Sequence, residues 1–254
     1  MRLVSYNILD GGEGRADPLA EAVEAQRADV VALVEADFMP TLERIAGRLG
    51  MDYVHAAGNE HAVALLSRWP IIQSVNHAAM RPGLSKCLLE AKLREHGGRE
   101  WTVGVVHLHA RATEADETRR EREIDIVLDT FATHRANGVP HLLVGDFNAN
   151  HPRQVIDPER CKPSTREAWH ANGGKIPRRA IQRLLDAGYI DTLEAHAGDR
   201  AFETGTFTTQ HPGQRVDYVF AHGIDPGRIT WAWVEQDRLA KYASDHFPVG
   251  VDVV

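Results

Sequence analysis

The chain has 254 residues, 43% hydrophobic and 26% charged, which is enough to bury a sizeable core and ordinary for a soluble enzyme. Its formal net charge of −7 argues against a protein held on nucleic acid mainly by a broad basic surface, but does not exclude a nuclease with a local cation and a basic rim. Cys87 and Cys161 are its only 2 cysteines, too few for a disulfide framework or a zinc cluster, and they point to a reducing compartment. Met1-Arg2 leads straight into a strand without an apolar signal core, and no run approaches transmembrane length, so a cytoplasmic protein off the membrane is expected.

Residues 3–8 (LVSYNI) read as a first strand stopped by Asp10-Gly11-Gly12, with Asn7 at its end. Asp17-Pro18 supplies a cap and a first-turn proline for a helix over 18–26. Residues 29–35 (DVVALVE) form a second buried strand that closes on a carboxylate, Glu35, near low-dielectric surroundings where a cation would stabilise it. Leu42, Ile45, Ala46 and Leu49 recur at helical spacing before Gly50. Strands follow over 53–56, 61–67, 71–76 and 86–93, then a hairpin loop at 96–99 and a strand over 101–108. The first half is therefore a mixed sheet and not a regular βαβ alternation.

His107 and His109 flank Leu108 at the end of that strand, where a period of two places both imidazoles on one sheet face. Without a third matched ligand, phosphate contact or ordinary hydrogen bonding fits them better than metal binding. Thr113 caps a long helix running to about 133, with Ile124, Val127, Leu128 and Phe131 as its buried stripe. Leu142-Leu143-Val144 then runs into Gly145-Asp146-Phe147-Asn148, a buried strand ending in a carboxylate and an amide, where α/β sheets gather ligands. Residues 151–177 show little periodicity, and an irregular stretch of that length is often functional. A short helix over 178–185 stops at Gly188, and 189–192 and 207–209 read as edge strands. Residues 215–220 are a strand carrying Asp217, and Ser244-Asp245-His246 precedes the last strand. No linker or repeat divides the chain, so one domain over 1–254 is expected.

Each polar strand end has a plain reading as a turn or cap, but together they fit attack of water on a phosphorus ester. Glu35 and Asp245, helped by Asn7, suit a hard cation such as Mg²⁺ (or Mn²⁺) that polarises the phosphoryl oxygen and steadies the departing alkoxide. Asp146 would orient or deprotonate the water, and Asn148 would donate to it or to the phosphate. His246, held by Asp217, would be an imidazolium or a general base.

Seven segments in order resemble the endonuclease/exonuclease/phosphatase superfamily, the DNase-I-like metal-dependent phosphoesterases. They are Ser5-Tyr6-Asn7-Ile8, Leu33-Val34-Glu35, Ala64 to Ile71, Val106-His107-Leu108, Val144 to Asn148, Val216 to Val219 and Ser244 to Val249. The resemblance implies an α/β, four-layer αββα sandwich of two mixed, mainly antiparallel sheets packed face to face with helices outside. It also implies divalent-cation dependence and a site between the sheets. Two departures stand out. Leu9 occupies a position that is acidic in many of the family's nucleases, with Asp10 one later. His107 stands where abasic-site endonucleases have tyrosine, which points to the DNase-like, lipid-directed and RNA-tail-directed branches.

The expected substrate is a phosphodiester in nucleic acid or a small nucleotide. The alternatives are a phosphomonoesterase, a lipid phosphodiesterase of the same fold, or an inactive binding module. No membrane-seeking loop and no obligate protein partner are evident. Substrate contacts are expected from His109 and from the basic segment 150–179, above all Arg178 and Arg179. Trp169 there either stacks on a base or anchors the loop.

Overall fold

The apolar runs pair into two six-stranded sheets in the computed structural model, which describes residues 1–254. In chain order the strands are β1 (Arg2–Asn7), β2 (Val30–Val34), β3 (Asp52–Ala56), β4 (Val63–Ser67), β5 (Ile71–Asn76) and β6 (Cys87–Arg94). They continue with β7 (Glu100–His107), β8 (His141–Asp146), β9 (Ile190–Asp191), β10 (Asp217–His222), β11 (Ile229–Val234) and β12 (Val249–Val253). One sheet has the order β11-β12-β1-β2-β4-β3 and the other β5-β6-β7-β8-β10-β9. Only β1–β2 and β7–β8 run parallel, so each sheet has one parallel pair at its centre.

Eight helices accompany them: α1 (Ala16–Ala25), α2 (Met39–Leu49), α3 (Glu114–Thr130), α4 (Ala132–Ala136), α5 (Pro163–Ala171), α6 (Arg179–Asp186), α7 (Thr192–Ala197) and α8 (Arg238–Ala243). Strand alternation explains the layering. In β2, Val30, Ala32 and Val34 enter the core between the sheets, while Val31 and Leu33 enter a second core under α1 and α2. In β8, Leu142 and Val144 face the other sheet, and Leu143 packs under α3 and α6 with Ile124, Val127 and Ile181. Strands buried on both faces read as apolar runs, VVALV in β2 and LLV within β8. The result is the expected αββα sandwich.

Several local expectations are revised. Residues 151–177 contain α5, which opens on Pro163 at the first helical turn, where a missing N–H costs nothing. The edge strand at 189–192 shrinks to β9, because the Asp191 side chain accepts from the Leu193 N–H and starts α7. Phe207 makes only isolated bridges, to Gln214 and His246. The long helix breaks at Phe131 into α3 and α4. Strand β11 and helix α8 were not anticipated. No helix is long and apolar enough to cross a membrane.

Candidate active site

The register brings the polar strand ends to one edge of the sandwich. Asn7 lies opposite Val34 across the parallel pair, His107 lies opposite Asp146, and Asp217 lies opposite Asp146 on the antiparallel side. Asn7 joins the two sheets, because its amide nitrogen donates to Glu35 Oε1 and to Asp146 Oδ2, both at 3.1 Å. Its oxygen accepts from the Leu9 N–H at 3.0 Å, which fixes the amide's orientation. The amide thus turns its donor, and not its oxygen, toward the carboxylates with which it was expected to help hold a cation. Glu35 adopts a left-handed backbone (φ 59) just beyond β2, and its Oε2 accepts from the Asp10 N–H at 2.8 Å. A side chain at Gly145 is excluded, since a Cβ there would meet the Val106 carbonyl oxygen at 2.0 Å.

On the second sheet Asp146 Oδ1 accepts from the Asn148 N–H at 2.8 Å, and the Asn148 amide donates to Leu108 O at 3.0 Å and Asp146 Oδ2 at 3.2 Å. His246 Nδ1 lies 2.9 Å from Asp217 Oδ2, and its Nε2 lies 3.9 Å from Asp146 Oδ2. The loop that carries it is tied to β1, because the Ser244 hydroxyl donates to Asn7 O at 2.7 Å. Ligand atoms of Asp146, Asp217 and His246 lie within 4.8 Å of one another, as do those of Asp10, Glu35 and His61.

Burial and crowding set the charges. Burial, and then the charge of Asp217, raise the Asp146 carboxyl to about 6. Burial by itself would lower His246, but the charge and hydrogen bond of Asp217, with Asp146 and Asp245, outweigh it and raise the ring to about 10. Burial, and then the Lys86 charge, hold His107 well below the usual range, so that ring is neutral. Burial also raises Asp245, whose buried Oδ1 has no hydrogen-bond partner. Asp245, with this buried and unpartnered oxygen, lines one cavity with Glu35 and Asp146, and carboxylate oxygens of this kind suit a hard divalent cation. That cavity has a volume of about 610 Å³.

Of the residues singled out in the sequence, Glu35, Asp146, Asn148, Asp245 and His246 line the cavity, and Asn7, His107 and Asp217 lie directly behind them. Three others are placed elsewhere. β7 ends at His107, so the alternation stops there; the His109 ring turns to Asp116 Oδ1 at 2.9 Å and does not share a face with His107. Arg178 is half-buried and donates to the carbonyls of His151, Pro152 and Gln154, the last at 2.5 Å, so it closes its own loop. Arg179 pairs with Glu114 and Glu121, both at 3.0 Å. Neither arginine lines the cavity in which they were expected to meet substrate. Helix α5 presents Thr165 and Ala168 to the cavity and not Trp169.

Sequence reasoning missed Lys86, Asn150, Gln214 and Phe207 as site residues, and of the basic residues in segment 150–179 it is Lys162 that lines the cavity with them. Lys86 was findable. It opens a buried strand, as Glu35 closes one, and a charge in that place needs a partner. The others come from segments whose path is set by tertiary packing.

The pattern described as the Endonuclease/Exonuclease/phosphatase family matches residues 4–246. No match is found among curated proteins. Among solved structures, an AP endonuclease from Archaeoglobus fulgidus superposes with a TM-score of 0.74 at 18% identity, over 100% of this chain and 99% of that one. The 3'-5' exonuclease NExo from Neisseria meningitidis gives a TM-score of 0.74 at 20% identity, over 100% and 99%. The human Nocturnin catalytic domain with bound sulfate gives 0.66 at 17% identity, over 100% and 93%. At these identities the likeness concerns the fold.

Proposed function

The chain belongs to the endonuclease/exonuclease/phosphatase family, whose members are phosphoesterase hydrolases, and on that premise we propose that it hydrolyses a phosphodiester in nucleic acid or a small nucleotide. The observation that carries the reading is the approach of His246, a ring held cationic by Asp217, to the buried Asp146 carboxylate at 3.9 Å inside one cavity. In the reaction a water oxygen bonds to phosphorus, the P–O ester bond breaks, and the leaving alkoxide takes a proton. Asp146, raised to about 6, is ionised at neutral pH yet basic enough to accept the water's proton. His246 stabilises the negative charge that gathers on the phosphoryl oxygens, and it can protonate the alkoxide. Asn7 and Asn148 hold the Asp146 carboxylate in place through its oxygens. Lys86, buried beside His107, adds a fixed positive charge facing the phosphate. A divalent cation such as Mg²⁺ or Mn²⁺, held by Glu35 and Asp245, would supply Lewis-acid polarisation of the phosphoryl oxygen. Both cysteines are free, buried thiols, which suits a reducing, cytoplasmic setting.

The test is hydrolysis of bis-p-nitrophenyl phosphate and p-nitrophenyl phosphate side by side, with Mg²⁺ or Mn²⁺ and with excess chelator. Metal-dependent release from the diester is expected. Preference for the monoester would make the protein a phosphatase, and no release from either compound would refute the reading.

A further inference from the structure

Resting on the hydrolase reading, we propose that the cavity receives a single nucleotide unit, at a strand's end or free, and rejects the interior of a strand. The shape of its far wall supports this. Helix α5 borders the cavity that holds the carboxylates and is fastened at both ends. Asn172, which caps its C-terminus, donates through Nδ2 to Ala112 O at 2.8 Å and so joins the helix to the loop before α3. Near its N-terminus, the Thr165 hydroxyl donates to Gln214 Oε1 at 3.0 Å, and the Gln214 amide donates to Asn150 Oδ1 at 3.3 Å. The chain at Gly213 abuts the same segment so closely that a Cβ would meet Arg160 O at 2.6 Å. The wall is thus tied to the loop that follows Asp146 and to the segment that precedes Asp217. A polynucleotide reacting in mid-strand needs an entry and an exit past the phosphorus, and a wall fastened in this way would leave room for only one of them.

The cavity also has the size and surface for such a unit. Its volume of about 610 Å³ falls within the roughly 300–1,000 Å³ that encloses a drug-sized molecule. Ala112, Ala168 and Ile176 give the wall an apolar face suited to a base and sugar. Lys162 lies with its ammonium 4.3 Å from the Phe207 ring centroid and makes no ion pair with a carboxylate. An unpaired, half-buried cation at the wall's edge suits phosphate oxygens other than those being attacked. Hydrolysis there breaks one P–O ester bond, water supplies the new P–O bond, and the alkoxide of the remaining chain or nucleoside leaves with a proton.

The experiment compares four substrates in Mg²⁺ and in Mn²⁺: a linear single-stranded oligonucleotide, the same sequence closed into a circle, a free nucleoside cyclic monophosphate (a phosphodiester of one nucleotide unit), and bis-p-nitrophenyl phosphate. Shortening of the linear strand one unit at a time with the circle intact supports a strand-end substrate. Hydrolysis of the free nucleotide alone, again with an intact circle, supports the same cavity serving a small nucleotide. Nicking of the circle as fast as the linear strand is cut would overturn the inference and leave the hydrolase reading standing. Turnover of the chromogenic diester with no nucleotide substrate touched would overturn the nucleotide assignment. Inactivity on all four would remove the hydrolase reading and the inference with it.

Discussion

The Lys86 ammonium lies 2.7 Å from His107 Nε2, buried, with no carboxylate in ion-pair contact with it. The ammonium can only donate, so the neutral ring accepts at Nε2 and carries its own proton on Nδ1, a buried atom without a partner. His107 is therefore an acceptor that aims the lysine, and Lys86 is the lasting cation of the pair. Removing a preorganised donor of this kind costs roughly a hundredfold to a thousandfold in turnover. Lys86→Met should lose that much kcat/KM on an anionic phosphoester, and Lys86→Arg should recover part of it. Unchanged kinetics in a Lys86→Met variant with native circular dichroism would show that the charge serves only packing.

Asp146→Asn should separate catalysis from stability. Loss of a positioned acid–base group lowers turnover by roughly a hundredfold to ten-thousandfold. The same carboxylate is raised to about 6, so the folded state disfavours its charge, at most by about 3 kcal/mol. The folded state binds the extra proton between the ordinary carboxylate range and about pH 6, so stability falls as pH rises through that window. Asn should recover part of the loss at neutral pH, less the repair of the Asn7 contact, and the gain should vanish near pH 4. Melting temperatures of both proteins across pH would check this; a variant less stable at neutral pH contradicts the electrostatic account.

Glu35→Gln tests the cation. Glu35 accepts from Asn7 and from Asp10 through separate oxygens, so an amide in its place keeps the shape and one of the two bonds and loses the charge. The variant should need more Mg²⁺ for half-maximal rate, and calorimetric titration should show weaker Mn²⁺ binding. Equal Mn²⁺ affinity in both proteins would exclude Glu35 as a ligand.

Arg178 and Arg179 should behave as structural residues of unequal weight. Arg178→Ala strips a donor from three carbonyls of one loop, at a cost of about 1–3 kcal/mol. Arg179→Ala breaks exposed pairs, typically worth about 0.2–1 kcal/mol. Denaturant midpoints should rank them in that order, and neither change should flatten the salt dependence of substrate binding. A flattened salt dependence would restore the role that their position in a basic segment suggested.

The two sets of residues differ in how local their signals are. Glu35, His107, Asp146 and Asn148 were legible because each ends or follows a run whose alternation already shows both faces buried. A polar group in that position has few destinations. Arg178 was not legible, because its partners lie on a loop 24 to 27 residues earlier, and only the folded path brings them within reach. Helix α5 went unseen because its sequence, PSTREAWHA, buries only Thr165 and so carries almost no apolar period. His109 misled because period-two reasoning was extended past the last paired residue of β7.

His141 sets the last expectation, on stability in acid. It lies on β8, fully buried among Phe131, Tyr189 and His222. Its Nδ1–H donates to Val139 O at 2.8 Å, and its Nε2 accepts from the Tyr189 hydroxyl at 2.7 Å, so both nitrogens are satisfied by the neutral ring alone. Burial accordingly lowers it to about 4. An unfolded histidine titrates near pH 6.5, so between there and about pH 4 the unfolded chain holds a proton that the folded chain lacks. Stability is therefore lost as pH falls through that window, by up to about 3 kcal/mol from this residue. His151, likewise lowered to about 4 by burial, acts in the same direction, and Asp146 opposes it in part. His246 has the opposite sign and loses its contribution only above pH 6.5. His141→Gln should be less stable than the parent at neutral pH, because the Tyr189 contact is disturbed, but it should lose less on acidification. Unfolding free energies measured at several pH values should therefore converge toward pH 4; parallel curves would mean that the His141 ring is not held neutral by the fold.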